Sequence, residues 1–160
     1  MKIKNSLKLL ACIIGCELAG IAGSFFTIAS IPTWYVTLEK PFLNPPSWVF
    51  GPVWTTLYFL MGVSLYLILQ NKNKIRKGQF KNALIIFGLQ LFLNATWSLV
   101  FFGMQNIGLA LINIFLLFVA IFFTILKFNK INKVSAYILT PYILWVGFAT
   151  YLNFAIWIIN

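Results

Sequence analysis

Five long apolar runs alternate with short polar segments along the chain. Each run has the ~20 mostly apolar residues that a helix needs to cross the ~30 Å hydrocarbon layer of a bilayer. The pattern therefore predicts five transmembrane helices, over residues 7–31, 47–69, 83–102, 107–126 and 134–159. The connections at 103–106 and 127–133 are short, which makes consecutive helices antiparallel neighbours. The expected fold is all-α, an integral membrane bundle of five transmembrane helices in one domain over residues 1–160.

The connection between the first two runs is longer than the others and rich in proline. Residues 32–46 contain four prolines, Pro32, Pro41, Pro45 and Pro46. Loops of this length without helix or strand character usually bind ligands or cover a site. We therefore expect this segment, called the lid loop below, to cover one end of the bundle.

The basic residues predict the orientation in the membrane. Eleven of the twelve lie at the N-terminus and in the second and fourth connections: Lys2, Lys4, Lys8, Lys72, Lys74, Arg76, Lys77, Lys81, Lys127, Lys130 and Lys133. By the positive-inside rule the N-terminus is cytoplasmic, and the lid loop and the C-terminus lie outside. The alternative is that residues 1–15 are a signal sequence, because Ile13-Ile14-Gly15-Cys16 resembles a lipoprotein cleavage box. The apolar run continues for fifteen residues beyond that point, which argues against cleavage.

Composition sets the environment and limits the chemistry. Apolar residues make up 61% of the chain, charged residues 9%, and the mean hydropathy is +0.93, too apolar for a water-soluble globule. The clustered basic residues thus reflect membrane topology, and no nucleic-acid partner is expected. The absence of His excludes His-ligated metal and Ser-His catalysis, and Glu17 and Glu39 lie in different segments. We predict no metal site, no cofactor and no catalytic residue, and we interpret Cys12 and Cys16 as small core residues.

Polar and aromatic residues recur at helical spacing in four of the five runs. The stripes are Glu17, Gly20, Ser24 and Thr27; Trp54, Tyr58, Met61 and Leu65; Gln90, Asn94, Trp97, Ser98 and Phe101; and Pro141, Trp145, Phe148, Ala149, Leu152 and Asn153. Such faces meet protein or a cavity. One interpretation is a cavity for a large, flat, mostly apolar ligand. The other is an interfacial aromatic belt with hydrogen bonds between helices.

Two further expectations concern the fourth run and the carboxyl in the first. The fourth run offers little beyond Asn113 and is therefore the best candidate among the five for a mostly lipid-facing helix. Glu17 has no basic residue at matching depth, so we expect a neutral carboxyl that is hydrogen-bonded to Ser, Asn, Gln or Tyr. A role in proton coupling is the alternative.

The motifs resemble those of the TspO/MBR family, the translocator proteins or tryptophan-rich sensory proteins. The resemblance is carried by Trp34-Tyr35, Lys40-Pro41, Asn44-Pro45-Pro46, Trp48-Val49-Phe50-Gly51, Val53-Trp54-Thr55, Leu57-Tyr58 and Met61-Gly62, by Gln90, Asn94, Trp97-Ser98 and Phe101-Phe102-Gly103, and by Pro141-Tyr142, Trp145, Phe148-Ala149 and Leu152-Asn153. It covers essentially the whole chain, and the lid loop and second helix carry its most specific part.

This resemblance implies a five-helix bundle, frequently a homodimer, that binds porphyrins such as protoporphyrin IX beneath the lid loop. Some members bind sterols or benzodiazepine-type ligands. The implied pocket positions are Tyr35, Trp54, Tyr58, Asn94, Trp97, Trp145 and Ala149. Trp54 and Trp145 correspond to the tryptophans proposed for light-dependent porphyrin breakdown. No basic residue follows Tyr151, a departure from the sterol motif.

Three functions follow, and they belong to different classes. The first is a membrane-embedded tetrapyrrole-binding protein in porphyrin sensing or transport, whose partners are a flat apolar ligand and lipid. The second is a light-dependent enzyme that oxidises porphyrins with the pocket tryptophans, and the third is a structural membrane subunit. The sequence favours the first, because it supplies no evident general base, nucleophile or metal.

Overall fold

Six α-helices account for most of residues 3–160, the part of the chain that the computed structural model describes. They are α1 (Ile3–Ser30), α2 (Ser47–Gln70), α3 (Lys77–Ser98), α4 (Ile107–Asn129), α5 (Lys133–Ile138) and α6 (Thr140–Ile159). Short 3-10 turns cover Tyr35–Thr37 and Lys72–Lys74, and a π-helical segment, Leu99–Gly103, extends α3. Lys2, one of the charges used for the topology prediction, lies outside the described residues.

Five helical stretches are long and apolar enough to span a bilayer: Asn5–Ser30, Ser47–Gln70, Lys77–Gly103, Ile107–Asn129 and Lys133–Ile159. The predicted fold class, an all-α membrane bundle with five spans, is confirmed. The fifth span consists of α5 and α6, which are separated at Leu139. Pro141 lies in the first turn of α6, where its missing N–H disrupts no helical bond that the turn would otherwise make.

The third span begins six residues before the predicted position. α3 starts at Lys77, within the segment that the hydropathy pattern assigned to a polar connection. Lys77, Gln79 and Lys81 are exposed in this first part of the helix. Helices extend beyond the hydrocarbon layer into the interface, where polar side chains are well solvated, so hydropathy alone underestimates their length.

The fourth helix is buried along one face, and the prediction that it is the most lipid-facing of the five spans is wrong. Ile114, Ile121 and Phe128 are fully buried at intervals of seven residues, and Ala110, Leu117 and Thr124 are buried between them. This face packs between α3 and α6. α1 is instead the least buried span, with 17% of its most apolar stretch inside the protein against 33% for α4. Leucine and isoleucine suit both core and lipid, so hydropathy does not distinguish the two environments.

The first two helices cross closely at a glycine. A Cβ added to Gly62 would lie 2.5 Å from the Cα of Ile13, so the α1 backbone occupies the space that a side chain would need. Cys16, one turn along α1, packs in the same core as Leu57 and Met61. Cys12 and Cys16 are both buried and unpaired, which confirms their interpretation as small core residues.

Candidate functional site

A cavity of about 410 Å³ lies between α1, α2, α3 and α6, at the end of the bundle that carries the lid loop. Among the described residues, neither α4 nor α5 contributes to its wall. Its size is within the ~300–1,000 Å³ typical of ligand pockets. The four walls are the helices whose sequences carry the polar and aromatic stripes.

The polar stripe of α1 forms one wall of this cavity. Glu17, Gly20, Ser24 and Thr27 all lie on it, as their helical spacing requires. Gly20 allows α2 to approach, because a Cβ at this position would overlap the ring of Tyr58. Gly23 meets Ser98 of α3 in the same manner, with 3.1 Å between the added Cβ and the serine Oγ. Small residues therefore bring α1 against both neighbours.

A chain of hydrogen bonds connects α2, α3 and α6 below the cavity. The Tyr58 hydroxyl donates to Oδ1 of Asn94, and Nδ2 of Asn94 lies 2.7 Å from the Tyr142 hydroxyl. Tyr142 in turn donates to Oε1 of Gln90 at 2.8 Å. Asn94, Tyr142 and Gln90 are all buried, and polar groups at such positions are stable only when paired. The chain fixes the orientation of Tyr58, whose ring borders the cavity.

Trp97 and the π-helical segment form the wall of the cavity that adjoins α1 on the α3 side. The Trp97 indole stacks on Phe101 with ring centroids 5.2 Å apart, and its Nε1 donates to Oδ1 of Asn153 at 3.1 Å. The wider turn of the π-helix places Phe101 and Phe102 on the cavity wall. Ser30, at the end of α1, donates to the Phe102 carbonyl at 2.7 Å. Single π-helical turns are common at functional sites.

The lid loop contributes Tyr35 and Asn44 to the wall. The buried Tyr35 ring packs against Phe102, and its hydroxyl donates to Oδ1 of Asn44 at 3.0 Å. Burial raises the pKa of the Tyr35 hydroxyl, and the hydrogen bond to Asn44 partly offsets this rise. Nζ of Lys40 lies 4.8 Å from the centre of the Tyr35 ring, a cation–π arrangement. These contacts hold the loop at the mouth of the cavity.

Six of the seven predicted pocket residues lie on the wall of this one cavity: Tyr35, Trp54, Tyr58, Asn94, Trp97 and Ala149. Trp145 does not. It lies behind Phe50, whose ring is 6.1 Å away in an edge-to-face arrangement and does border the cavity. Trp145 shares a helical face with Ala149, so the spacing places it correctly on α6 but does not reveal the intervening phenylalanine. Its Nε1 is buried and has no hydrogen-bond partner among residues 3–160.

Several wall residues were not among the predicted pocket positions. These include Asn44, Phe50, Gly51 and Thr55, which belong to the motif that carries the family resemblance. The concentration of motif residues in this segment is the feature of the sequence that could have identified them as wall residues. Glu17 also differs from expectation, because its carboxyl makes no hydrogen bond within the described chain. It is half-buried on the cavity wall.

The cavity offers stacking surfaces and hydrogen bonds. Rings from α2, α3 and the lid loop border it, and no cluster of three His, Cys, Asp or Glu side chains occurs in the described residues. A flat, largely apolar molecule fits such a wall best, because aromatic faces stack on it while hydroxyl and amide groups meet its polar edges.

Comparison with known proteins identifies a matching family model and several similar relatives. The model of the TspO/MBR family matches residues 12–158. The chain is 44% identical to the tryptophan-rich protein TspO of Archaeoglobus fulgidus, over 98% of this chain and 99% of the relative. It is 36% identical to the human translocator protein, over 92% and 85% of the two chains. It is also 36% identical to the tryptophan-rich sensory protein of Cereibacter sphaeroides, over 76% and 73%.

Proposed function

Because the chain belongs to the TspO/MBR family, we propose that it binds tetrapyrroles of the protoporphyrin IX type within the membrane and acts in their sensing or transport. The observation that carries this proposal is the ring-lined cavity beneath the lid loop. Trp54 on α2 and Trp97 on α3 both border it. A planar macrocycle is the kind of ligand for which such rings provide stacking area.

The arrangement of the two candidate tryptophans favours binding over oxidation. A light-dependent reaction that uses both indoles requires both to reach the bound ring. Trp54 borders the cavity, whereas Phe50 separates Trp145 from it. Binding requires no contact between the ligand and Trp145, because the aromatic rings that border the cavity already provide stacking area.

Titration of the purified protein with protoporphyrin IX tests the proposal. Saturable quenching of tryptophan emission is expected, since Trp54 and Trp97 border the cavity. Trp54→Phe keeps an aromatic ring but loses the indole N–H and some stacking area, so the affinity should fall several-fold, by about 1 kcal/mol. Trp157→Phe is the matched control, because Trp157 is exposed on α6 away from the cavity. It should bind like the unmodified protein.

Either of two results contradicts the proposal. The absence of saturable quenching would mean that the cavity does not take porphyrins. Equal loss of affinity in Trp54→Phe and Trp157→Phe would mean that the ligand binds elsewhere or partitions into the detergent.

A further inference from the structure

Most side-chain hydrogen-bond donors on the cavity wall are already used within the protein. Ser24 donates to the carbonyl of Ile21 at 2.8 Å, and Thr55 donates to that of Gly51 at 3.0 Å. Thr27 is 3.4 Å from the carbonyl of Gly23. The hydroxyl of Tyr58 and the indole N–H of Trp97 are also engaged, as described above. These groups are not free to donate to a ligand.

Of the wall donors that make no hydrogen bond in the described part of the chain, Trp54 and Ser98 lie within α2 and α3, and Ser47 and Trp48 lie next to the lid loop. Ser47 and Trp48 begin α2 directly after this loop, and their side chains hydrogen-bond to no other group in the described part of the chain. Lys40 lies at the same end but outside the cavity wall; its Nζ donates to the Leu38 carbonyl at 3.0 Å and lies above the Tyr35 ring, so it contributes positive charge there. The loop end of the cavity therefore suits hydrogen-bond acceptors and negative charge.

Glu17 lies at the opposite end. On the α1 side the wall runs from Ile31, directly after the helix, to Glu17, a separation of fourteen residues or about 21 Å at the helical rise. Glu17 is the only Asp, Glu, Lys or Arg on the wall, and within residues 3–160 its carboxyl has no hydrogen-bond or ion-pair partner. An ionised carboxylate accepts hydrogen bonds and donates none, and an unpaired one inside a membrane is costly. A ligand group that donates to it would remove that cost.

We propose that Glu17 is a ligand-recognition residue whose carboxyl pairs with a basic nitrogen of the bound molecule. Among the flat, apolar ligands that the cavity takes, one that carries an amine at the end buried farthest from the lid loop should then bind more tightly than a neutral one. Acidic groups of a ligand belong at the loop end, near Lys40. This inference rests on the proposed function, because it states which end of the same cavity takes the basic groups of a ligand and which end takes the acidic groups.

Three derivatives of one macrocycle test the assignment: protoporphyrin IX, its dimethyl ester, and its diamide with a tertiary-amine tail. The quantity measured is the affinity of the amine derivative relative to the ester in each protein, which cancels differences in detergent partitioning between variants. Glu17→Gln has nearly the same shape without the charge. Because a hydrogen bond to an ionised group is about twice as strong as a neutral one, this ratio should fall about tenfold.

Glu39→Gln is the matched control, because Glu39 is the other carboxyl of the chain and lies in the lid loop outside the cavity wall. It should retain the ratio of the unmodified protein. Ester affinity serves as the internal measure of folding, and Glu17→Met replaces Glu17→Gln if the latter does not bind the ester.

The outcomes separate this inference from the proposed function. If the ester binds but the amine has no advantage, or keeps its advantage in Glu17→Gln, the role of Glu17 is refuted and porphyrin binding stands. If none of the three derivatives binds the unmodified protein, both proposals fail.

Discussion

Two partly buried tryptophans differ in whether the indole N–H has a hydrogen-bond partner. Nε1 of Trp97 donates to Asn153, whereas Nε1 of Trp145 is buried without a partner among residues 3–160. A buried donor without an acceptor costs stability, and so does an acceptor that has lost its donor. The same substitution should therefore cost more stability at Trp97 than at Trp145.

Trp97→Phe should lower the free energy of unfolding, because Oδ1 of Asn153 loses its donor; the expected cost is about 1–3 kcal/mol beyond the lost ring area. Trp145→Phe removes an unpaired N–H and should be close to neutral. Thermal unfolding of both variants in the same detergent measures the difference, and each serves as the control for the other. Equal destabilisation would mean that ring size, and not hydrogen bonding, sets the stability at these positions.

At the level of helices, α1 and α2 approach each other most closely where a glycine of α2 meets the α1 backbone. Gly62 lies against the backbone of Ile13, and backbone cannot rotate away as a side chain can. Toward the lid loop the facing stretches of the same two helices border the cavity, and Ile28 of α1 and Gly51 of α2 are exposed there. The contact at Gly62 thus fixes the pair at one end while the other end bounds the ligand site.

Gly62→Ala should destabilise the bundle by about 1–3 kcal/mol, because the added methyl group forces α1 away from α2. Ligand affinity should fall with it, since α1 and α2 both border the cavity. Gly88→Ala is the control: Gly88 lies within α3 with open space around it, so alanine should be neutral or slightly stabilising. Equal melting temperatures for Gly62→Ala and Gly88→Ala would show that the crossing tolerates a wider separation.

The sequence predicted the helices and the faces of each helix better than it predicted what those faces contact. Helical spacing placed Glu17, Gly20, Ser24 and Thr27 on one face, and that face borders the cavity, because periodicity fixes direction on a helix. It did not predict the burial of α4, since the same apolar residues pack against protein and lipid. Nor did it predict that Phe50 covers Trp145, because that contact joins α2 to α6 and depends on how the helices pack.

At the level of the whole molecule, the basic residues are concentrated at one end of the bundle. Because five is an odd number of spans, the two ends of the chain lie on opposite faces of a bilayer. Lys8 near the start of α1, the connection after α2 and the connection after α4 all fall on one face. The lid loop and the end of α6 fall on the other, where Asn160 makes two hydrogen bonds with the backbone of Glu39.

We expect the N-terminus to be cytoplasmic, with the lid loop, the cavity mouth and the C-terminus outside, because basic segments are retained on the cytoplasmic side. Reporter domains that are active on one side only, fused separately to each end, should report opposite compartments. Replacing Lys72, Lys74, Arg76, Lys77 and Lys81 by glutamine should weaken the charge bias and give a mixed orientation. The conservative control replaces the four lysines among them by arginine and should leave the orientation unchanged. Reporters in the same compartment would contradict a five-span bundle, whereas opposite compartments with the N-terminus outside would reverse the predicted side of ligand entry.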